Sequence, residues 1–285
     1  METPLLITGA TGHVGGALAR LLSDAGVPAR ALVRRAAAAL PPGIEPVAGD
    51  LADPASLTEA LRDVDRVFLV WPFGEPGPAE AVVPVIGAAA NRIVYLSSRG
   101  ARDDADADPI TRMHGVVERL LRERAREWTF LRSGGMATNT LGWAPMVHDG
   151  REVRWPYGAS ARPLVHEADL AEVALRALTT DDLVGASPEL TGPTVLTQEE
   201  QVAAIGDAIG TPVRWVELSR AEARGQMRGW GWPDATVDGA LDAWAAMVDQ
   251  PETVTDGVAS VLGRPARSFE EWVRDHAGEF GWSVG

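Results

Sequence analysis

The chain contains no lysine and no cysteine. All 26 of its basic residues are therefore arginines, and any mechanism that needs a catalytic lysine is excluded. Without cysteine there is no disulfide and no thiolate nucleophile. Phenols are scarce too: Tyr95 and Tyr157 are the only tyrosines. Positive charge is outnumbered, with 40 acidic residues against the 26 basic ones and a net charge of −14. That balance argues against a general nucleic-acid binder, which needs a basic face to displace counterions. No amino-terminal signal and no long uncharged apolar run is visible, so the reading is a cytoplasmic protein with no membrane partner. The histidines at 13, 114, 148, 166 and 276 show no metal-ligand spacing, and no metal is expected. What remains is ordinary for a globular protein: 285 residues, 46% hydrophobic and 23% charged, enough for one large α/β domain with an appended lobe.

The most informative stretch runs from Leu5 to Gly16. Apolar residues lead up to Thr8, as a buried parallel strand would, and glycines follow at Gly9, Gly12 and Gly15 before the apolar-faced segment Ala17 to Leu22. Strand, tight glycine turn and helix start together favour a bound pyrophosphate. Gly9 permits the turn, Gly12 lets phosphate approach bare backbone, and Gly15 lets the helix pack on the strand. The free N–H groups and positive end of the helix then face the anion.

Further strands are expected at Ala29–Val33, Ile44–Ala48, Arg66–Val70, Arg92–Leu96 and Trp128–Leu131. Helices are expected at Pro54–Leu61, at Ala79–Ala90 with Pro84 as a kink or late start, and at Ile110–Arg126. This alternation predicts a doubly wound parallel sheet. The second strand ends in Arg34-Arg35, about 20 residues past the glycines, where an NAD-binding fold carries a carboxylate for the ribose hydroxyl. A guanidinium there holds a 2′-phosphate with paired hydrogen bonds, which selects NADP(H); alternatively both arginines are solvated loop residues. Asp50, closing the third strand, can accept from an adenine amino group or cap the next helix, although Asp53 is better placed for capping. Trp71-Pro72 breaks the fourth strand at the edge where cofactor and substrate should meet. Residues 103–108 form an acidic loop, expected to be mobile. Beyond Gly135 the pattern changes: a short strand at Arg151–Trp155, a helix from His166 to Leu178, a capping box at Thr197 and Glu200, a strand at Val213–Leu218, and mostly helix after Ser219.

Thr8-Gly9-Ala10-Thr11-Gly12-His13-Val14-Gly15, the arginine after the second strand, Gly49-Asp50, Leu96-Ser97-Ser98 and Trp128-Thr129-Phe130-Leu131-Arg132 with Asn139 resemble the atypical short-chain dehydrogenases/reductases, and most of all their NmrA-like, NAD(P)H-binding group. The likeness extends over nearly the whole chain, through Leu190-Thr191-Gly192-Pro193 to the segment from Ser268 to His276. It implies a Rossmann-type sheet with a small, mainly helical carboxy-terminal substrate lobe: a core over 1–135, with segments near 164–193 packing back on it, and a lobe over 136–285. It also implies cofactor contacts at Gly9, Ala10, Thr11, Gly12, His13, Val14, Gly15, Arg34, Arg35, Asp50 and Leu51, with the nicotinamide near Trp71, Pro72 and Ser97.

The chain departs from the family pattern at the catalytic pair. Short-chain dehydrogenases carry a Tyr and a Lys one helical turn apart after the fifth strand; here that helix presents His114 and Glu118. An i, i+4 pair shares a face, so Glu118 can raise the pKa of His114 and make it an acid near neutral pH. Alternatively His114 caps a loop and Glu118 is solvated. Ser97 and Ser98 either polarise a substrate carbonyl or tie the strand end to its loop. Tyr157 is either an unusual proton donor or packing, and Met136, Trp143, Trp230 and Trp232 are either pocket walls or core. The reading is an NADPH-dependent reductase of a hydrophobic, quinone- or ketone-like small molecule, with room for a homodimer. The alternatives are an NADP(H)-sensing regulator and a non-redox isomerase or cyclase.

Overall fold

The structure is a computed structural model describing residues 3–34, 39–104 and 107–281. Its strands are β1 Leu5–Ile7, β2 Ala29–Val33, β3 Ile44–Ala48, β4 Arg66–Val70, β5 Arg92–Ser98, β6 Glu127–Ser133, β7 Glu152–Trp155, β8 Ala161–Arg162, β9 Glu189–Leu190, β10 Leu196–Thr197 and β11 Arg214–Glu217. Its α-helices are α1 His13–Asp24, α2 Leu57–Ala60, α3 Ala79–Ala89, α4 Pro109–Arg124, α5 Ala144–Gly150, α6 Glu167–Thr179, α7 Gln198–Ala208, α8 Arg220–Gly229, α9 Asp234–Asp249, α10 Gly257–Leu262 and α11 Phe269–Asp275. The chain divides into two units, one comprising 1–133, 167–190 and 257–263, the other 134–166, 191–256 and 264–285. The first unit thus takes in 257–263 as well as 167–190.

The first unit is built on a seven-stranded sheet of order β3-β2-β1-β4-β5-β6-β9. Every adjacent pair in it is parallel. The order reverses between β1 and β4, which makes their carboxyl ends the place where a doubly wound sheet opens a crevice for ligands. Because side chains alternate along a strand, the sheet has two apolar faces. Leu6, Leu32, Val67, Leu69, Ile93, Tyr95 and Phe130 pack with α3 and α4 in one cluster. The alternate residues Ile7, Ala31, Phe68, Val94 and Leu131 are buried as well, and α1 and α6 pack against each other and α6 against β4, β5 and β6. Near-continuous apolar strands are what two covered faces require.

One local expectation is corrected. The segment Pro54–Leu61 is not one α-helix but a 3-10 turn, Pro54–Ser56, leading into α2. Asp53 caps that turn by accepting from Ala55 N at 3.1 Å. Of the acidic loop, residues 105 and 106 lie outside the described residues; in the rest Asp103 pairs with Arg119 at 2.8 Å and Asp108 caps α4. The strand β9 went unread because two residues carry no period.

The second unit has its own core, centred on Trp143, Val153, Trp155, Val202, Ile205, Met227, Leu241, Phe269 and Trp272. Its strands form two small pairs, β7 with β11 in parallel and β8 with β10 antiparallel. Capping boxes start α7, α8 and α11, at Thr197/Glu200, Ser219/Glu222 and Ser268/Glu271. Each satisfies two otherwise unpaired backbone N–H groups.

Gly115 decides how closely α4 can lie. A Cβ at this position would overlap the backbone of Arg102 and Asp103. An exposed helical Gly→Ala change normally stabilises by about 1 kcal/mol. Here Gly115→Ala is expected to destabilise by about 1–3 kcal/mol, the usual cost of overpacking; urea unfolding measures the sign, and a stabilised variant would refute this packing.

Candidate active site

The glycine turn sits at the carboxyl end of β1, directly beside the end of β4. Thr8 joins the two: its hydroxyl accepts from Val70 N at 2.7 Å and donates to Val70 O at 3.2 Å. Gly9 takes φ +67°, where a side chain is strained, and a Cβ on it would also lie 3.1 Å from Val70 Cβ. Gly12 N donates to Gly9 O at 2.9 Å, closing the turn. A Cβ on Gly15 would overlap the Gly9 carbonyl, so only glycine lets α1 begin there. Gly12 caps α1 with no side-chain hydrogen bond, and no acidic residue occupies the first turn. The first helical bond runs from Gly16 N to Gly12 O at 2.8 Å. The N–H groups of His13, Val14 and Gly15 precede it and have no intrahelical partner. Backbone N–H groups and a helix dipole so arranged can hold an anion.

Exposure sorts the residues of this turn. Gly9, Thr11, Gly12 and His13 form its open rim, while Ala10, Val14 and Gly15 are buried beneath it. Arg34 is exposed just past β2, with no carboxylate partner among the described residues; Arg35 lies outside the described residues. Asp50 Oδ1 accepts from Ala52 N at 2.8 Å, which braces its own loop and leaves its second oxygen unengaged among the described residues. Leu51 is core. Trp71 is buried, its indole N–H given to Glu75 O at 3.1 Å, and Pro72 is exposed beside it. The Trp71 ring is therefore part of the sheet's packing, so that any contact with a cofactor there would come from the strand end itself.

On the α4 side of β5 the polar groups form two separate sets. Glu118 is 1% exposed and accepts four hydrogen bonds. Ser97 Oγ at 2.7 Å and Arg132 Nε at 2.9 Å reach Oε1; Arg132 Nη2 at 2.6 Å and Arg122 Nη2 at 2.9 Å reach Oε2. The other set is Tyr95 and His114, whose hydroxyl and Nδ1 lie 2.6 Å apart. His114 and Glu118 therefore do not pair with each other, and the expected rise in the His114 pKa is reversed. Burial pushes His114 down to about 4, outweighing the attraction of Glu118 and Asp108 for its charged form. Burial, and then the charge of Glu118, push the Tyr95 phenol well above its usual value. At neutral pH the imidazole is uncharged and the phenol keeps its proton.

Residues 9–181 match the family described as NAD(P)H-binding. The chain belongs to this family. An azoreductase of Xenophilus azovorans, described as an NAD(P)H azoreductase, is 34% identical over 285 residues, covering 97% of this chain and 99% of that one. A (4-alkanoyl-5-oxo-2,5-dihydrofuran-3-yl)methyl phosphate reductase of Streptomyces griseus is 35% identical over 280 residues, covering 97% and 99%. Among solved structures, the Escherichia coli quinone oxidoreductase QOR2 complexed with NADPH superposes with a TM-score of 0.78 at 24% identity, covering 95% and 99%. The chain is thus an NAD(P)H-dependent oxidoreductase with a small-molecule substrate, on a Rossmann-type fold. The glycine turn fits that cofactor: its uncapped N–H groups could receive a phosphate, and its methyl-free surface leaves room for one. No described helix is long and apolar enough to cross a membrane.

The expected catalytic residues are not all brought together. Ser97, His114 and Glu118 share the α4 face of β5, but Ser97 and Glu118 are spent on each other and on two arginines. Ser98 Oγ turns to Arg99 O at 3.3 Å. Tyr157 lies in the second unit, at φ +61° in a turn after β7, with its backbone N–H on Glu217 Oε1. Its hydroxyl meets Arg220. Trp143 is buried core, whereas Trp230 is 49% exposed and stacks on Trp155, and Trp232 is 39% exposed. A groove of about 460 Å³ along α7 and α11, lined by Leu196, Glu200, Ala204, Asp207, Glu270 and Arg274, contains none of the residues singled out. Sequence reasoning missed Tyr95, set aside as a strand residue, and the role of Arg132. Register alone pairs Arg132 with Ser97 across β5 and β6.

The His114 shift has a consequence for stability. Unfolded, the imidazole titrates near 6.5; folded, near 4. Between those values the unfolded chain binds a proton that the folded chain does not, so stability rises with pH there. The contribution is complete above about 6.5 and is lost as pH falls towards 4. His114→Asn is expected to flatten the dependence of Tm on pH across this window; a slope equal to that of the unaltered protein would refute it.

Proposed function

We propose that the protein reduces conjugated, electron-poor ring compounds with NADPH. The observation that carries the cofactor choice is Arg34, exposed after β2 with no carboxylate partner among the described residues, where a preference for NAD(H) needs an acidic side chain. A planar guanidinium holds a 2′-phosphate with two parallel hydrogen bonds. The N–H groups of His13, Val14 and Gly15 hold the pyrophosphate, and the rim of Gly9, Thr11 and Gly12 leaves it room. Bound NADPH supplies a hydride.

The substrate class follows from what the chain does without. No tyrosine–lysine pair stands on α4, and His114 is uncharged at neutral pH. A weak electrophile would need a strong proton donor as the hydride arrives. An acceptor that spreads the incoming charge by conjugation needs mainly orientation. An azo bond, a quinone and an alkanoyl-substituted oxo-dihydrofuran, the compounds in the names of similar proteins, are all of that kind. Ser97 and Glu118 act on structure in this reading: the buried carboxylate ties β5, β6 and α4 together.

Two measurements test this. Arg34→Ala is expected to weaken NADPH binding by about tenfold or more while changing NADH binding little, the loss of a paired charge-assisted contact; equal losses for both cofactors would overturn the phosphate assignment. NADPH oxidation is expected with 2-methyl-1,4-naphthoquinone or an azo dye and not with cyclohexanone. Tight NADPH binding with no turnover on any of them would overturn the substrate class and favour a sensing role.

A further inference from the structure

Tyr95 is buried and cannot share its hydroxyl proton with water. Met113 Sδ, at 4.0 Å, is a weak acceptor, whereas His114 Nδ1 stands at 2.6 Å. Among the described residues no carboxylate hydrogen-bonds the phenol: Glu118 is held by Ser97, Arg122 and Arg132. A buried hydroxyl must place its proton on an acceptor or carry the full cost of desolvation. Nδ1 of a neutral imidazole accepts only if the ring's hydrogen is on Nε2. Nε2 itself has no hydrogen-bond partner among the described residues, and the side chain is half-buried.

Location gives this pair a use. Leu96 stands in register with Val70, and Val70 borders the Gly9 turn. Tyr95 of β5 is thus one strand from the end of β4 that borders the glycine turn, and His114 reaches it from α4. We infer that Tyr95 is a positioning residue that fixes the Nε2–H form of a neutral His114, and that this N–H is a hydrogen-bond donor to the charge that develops on the substrate. The inference rests on the reductase reading for its substrate. In the step it serves, a hydride adds to the conjugated acceptor and forms the new bond to hydrogen. The displaced electron pair moves through the conjugated system to an oxygen or nitrogen. Nε2–H donates to that atom without giving up its proton, and water supplies the proton that completes the product. A neutral imidazole suits this role because it offers its hydrogen at any pH where it is uncharged. The charged or titratable groups that bear on the ring are Glu118 and Asp108 of its own helix and its cap, and Tyr95 of β5.

The test uses the full-length protein labelled with nitrogen-15 at histidine. Two-bond nitrogen–proton correlations read the tautomer directly, with His114→Phe assigning the signal. The unaltered protein is expected to show Nδ1 unprotonated and Nε2 protonated from pH 8 down to about 5, and Tyr95→Phe is expected to give a mixture of tautomers. In NADPH oxidation with 2-methyl-1,4-naphthoquinone, Tyr95→Phe is expected to lower kcat on the order of tenfold, and His114→Phe as much or more, with KM for NADPH within about twofold. The double variant is expected to be no slower than His114→Phe alone, because one residue acts through the other. An Nδ1–H tautomer in the unaltered protein overturns the inference whatever the turnover. So does a Tyr95→Phe protein, folded by circular dichroism, with unchanged kcat, or a double variant whose losses multiply. Should no acceptor be reduced at all, the reductase reading and the donor role fall together, while the tautomer measured by resonance still decides the part played by Tyr95.

Discussion

The nucleotide end of this protein depends on a methyl group that is not there. Gly15 has no Cβ, so α1 can start against the Gly9 carbonyl. The turn from Thr8 to Gly12 then closes on itself, through the bond from Gly12 to Gly9 and the clasp between Thr8 and Val70. Because no side chain caps α1, its first N–H groups and its dipole stay available to an anion. The same constraint locates the site: β1 and β4 are the strands between which the order of the sheet reverses, and the turn lies at their carboxyl ends.

One strand further on, polar groups of β5, β6 and α4 are buried against one another. Burial has been used there in two opposite ways. Glu118 keeps a carboxylate inside the protein by surrounding it with two guanidiniums and a hydroxyl, an arrangement stable only while every partner is present. His114, four residues away, has no such company, and burial holds it neutral. At Glu118 the donors of Ser97, Arg122 and Arg132 reach the carboxylate, whereas at His114 burial outweighs the attraction of Glu118 and Asp108 for the charged ring.

The second unit solves a different problem. Its strands are too short to form a large sheet, and its core is assembled from wide rings: Trp155 has Trp143, Trp230 and Trp244 within 6.4 Å between ring centres. Large rings bury much area for little chain entropy, which suits a lobe of short elements. Trp155 also keeps a buried indole nitrogen with no hydrogen-bond acceptor among the described residues, although edge-on rings stand around it.

Much of this was readable from residue order. Glycine spacing after an apolar run reports a tight turn, since a side chain is strained at Gly9 and has no room at Gly15. The missing lysine excludes the usual catalytic pair with no coordinates at all, and the capping box at Thr197 and Glu200 is a local pattern with a local cause. The partners of buried polar groups were not readable. An i, i+4 spacing brought His114 and Glu118 to one helix face, yet Tyr95 and Arg132 reached them first, from strands that only the parallel register of β4, β5 and β6 sets side by side. Sequence by itself determined where the backbone can turn and which chemistry is absent, because those are properties of single residues and their neighbours. Tertiary structure alone decided which charges are paired and which ring is neutral, because burial and hydrogen-bond geometry belong to residues far apart in the chain.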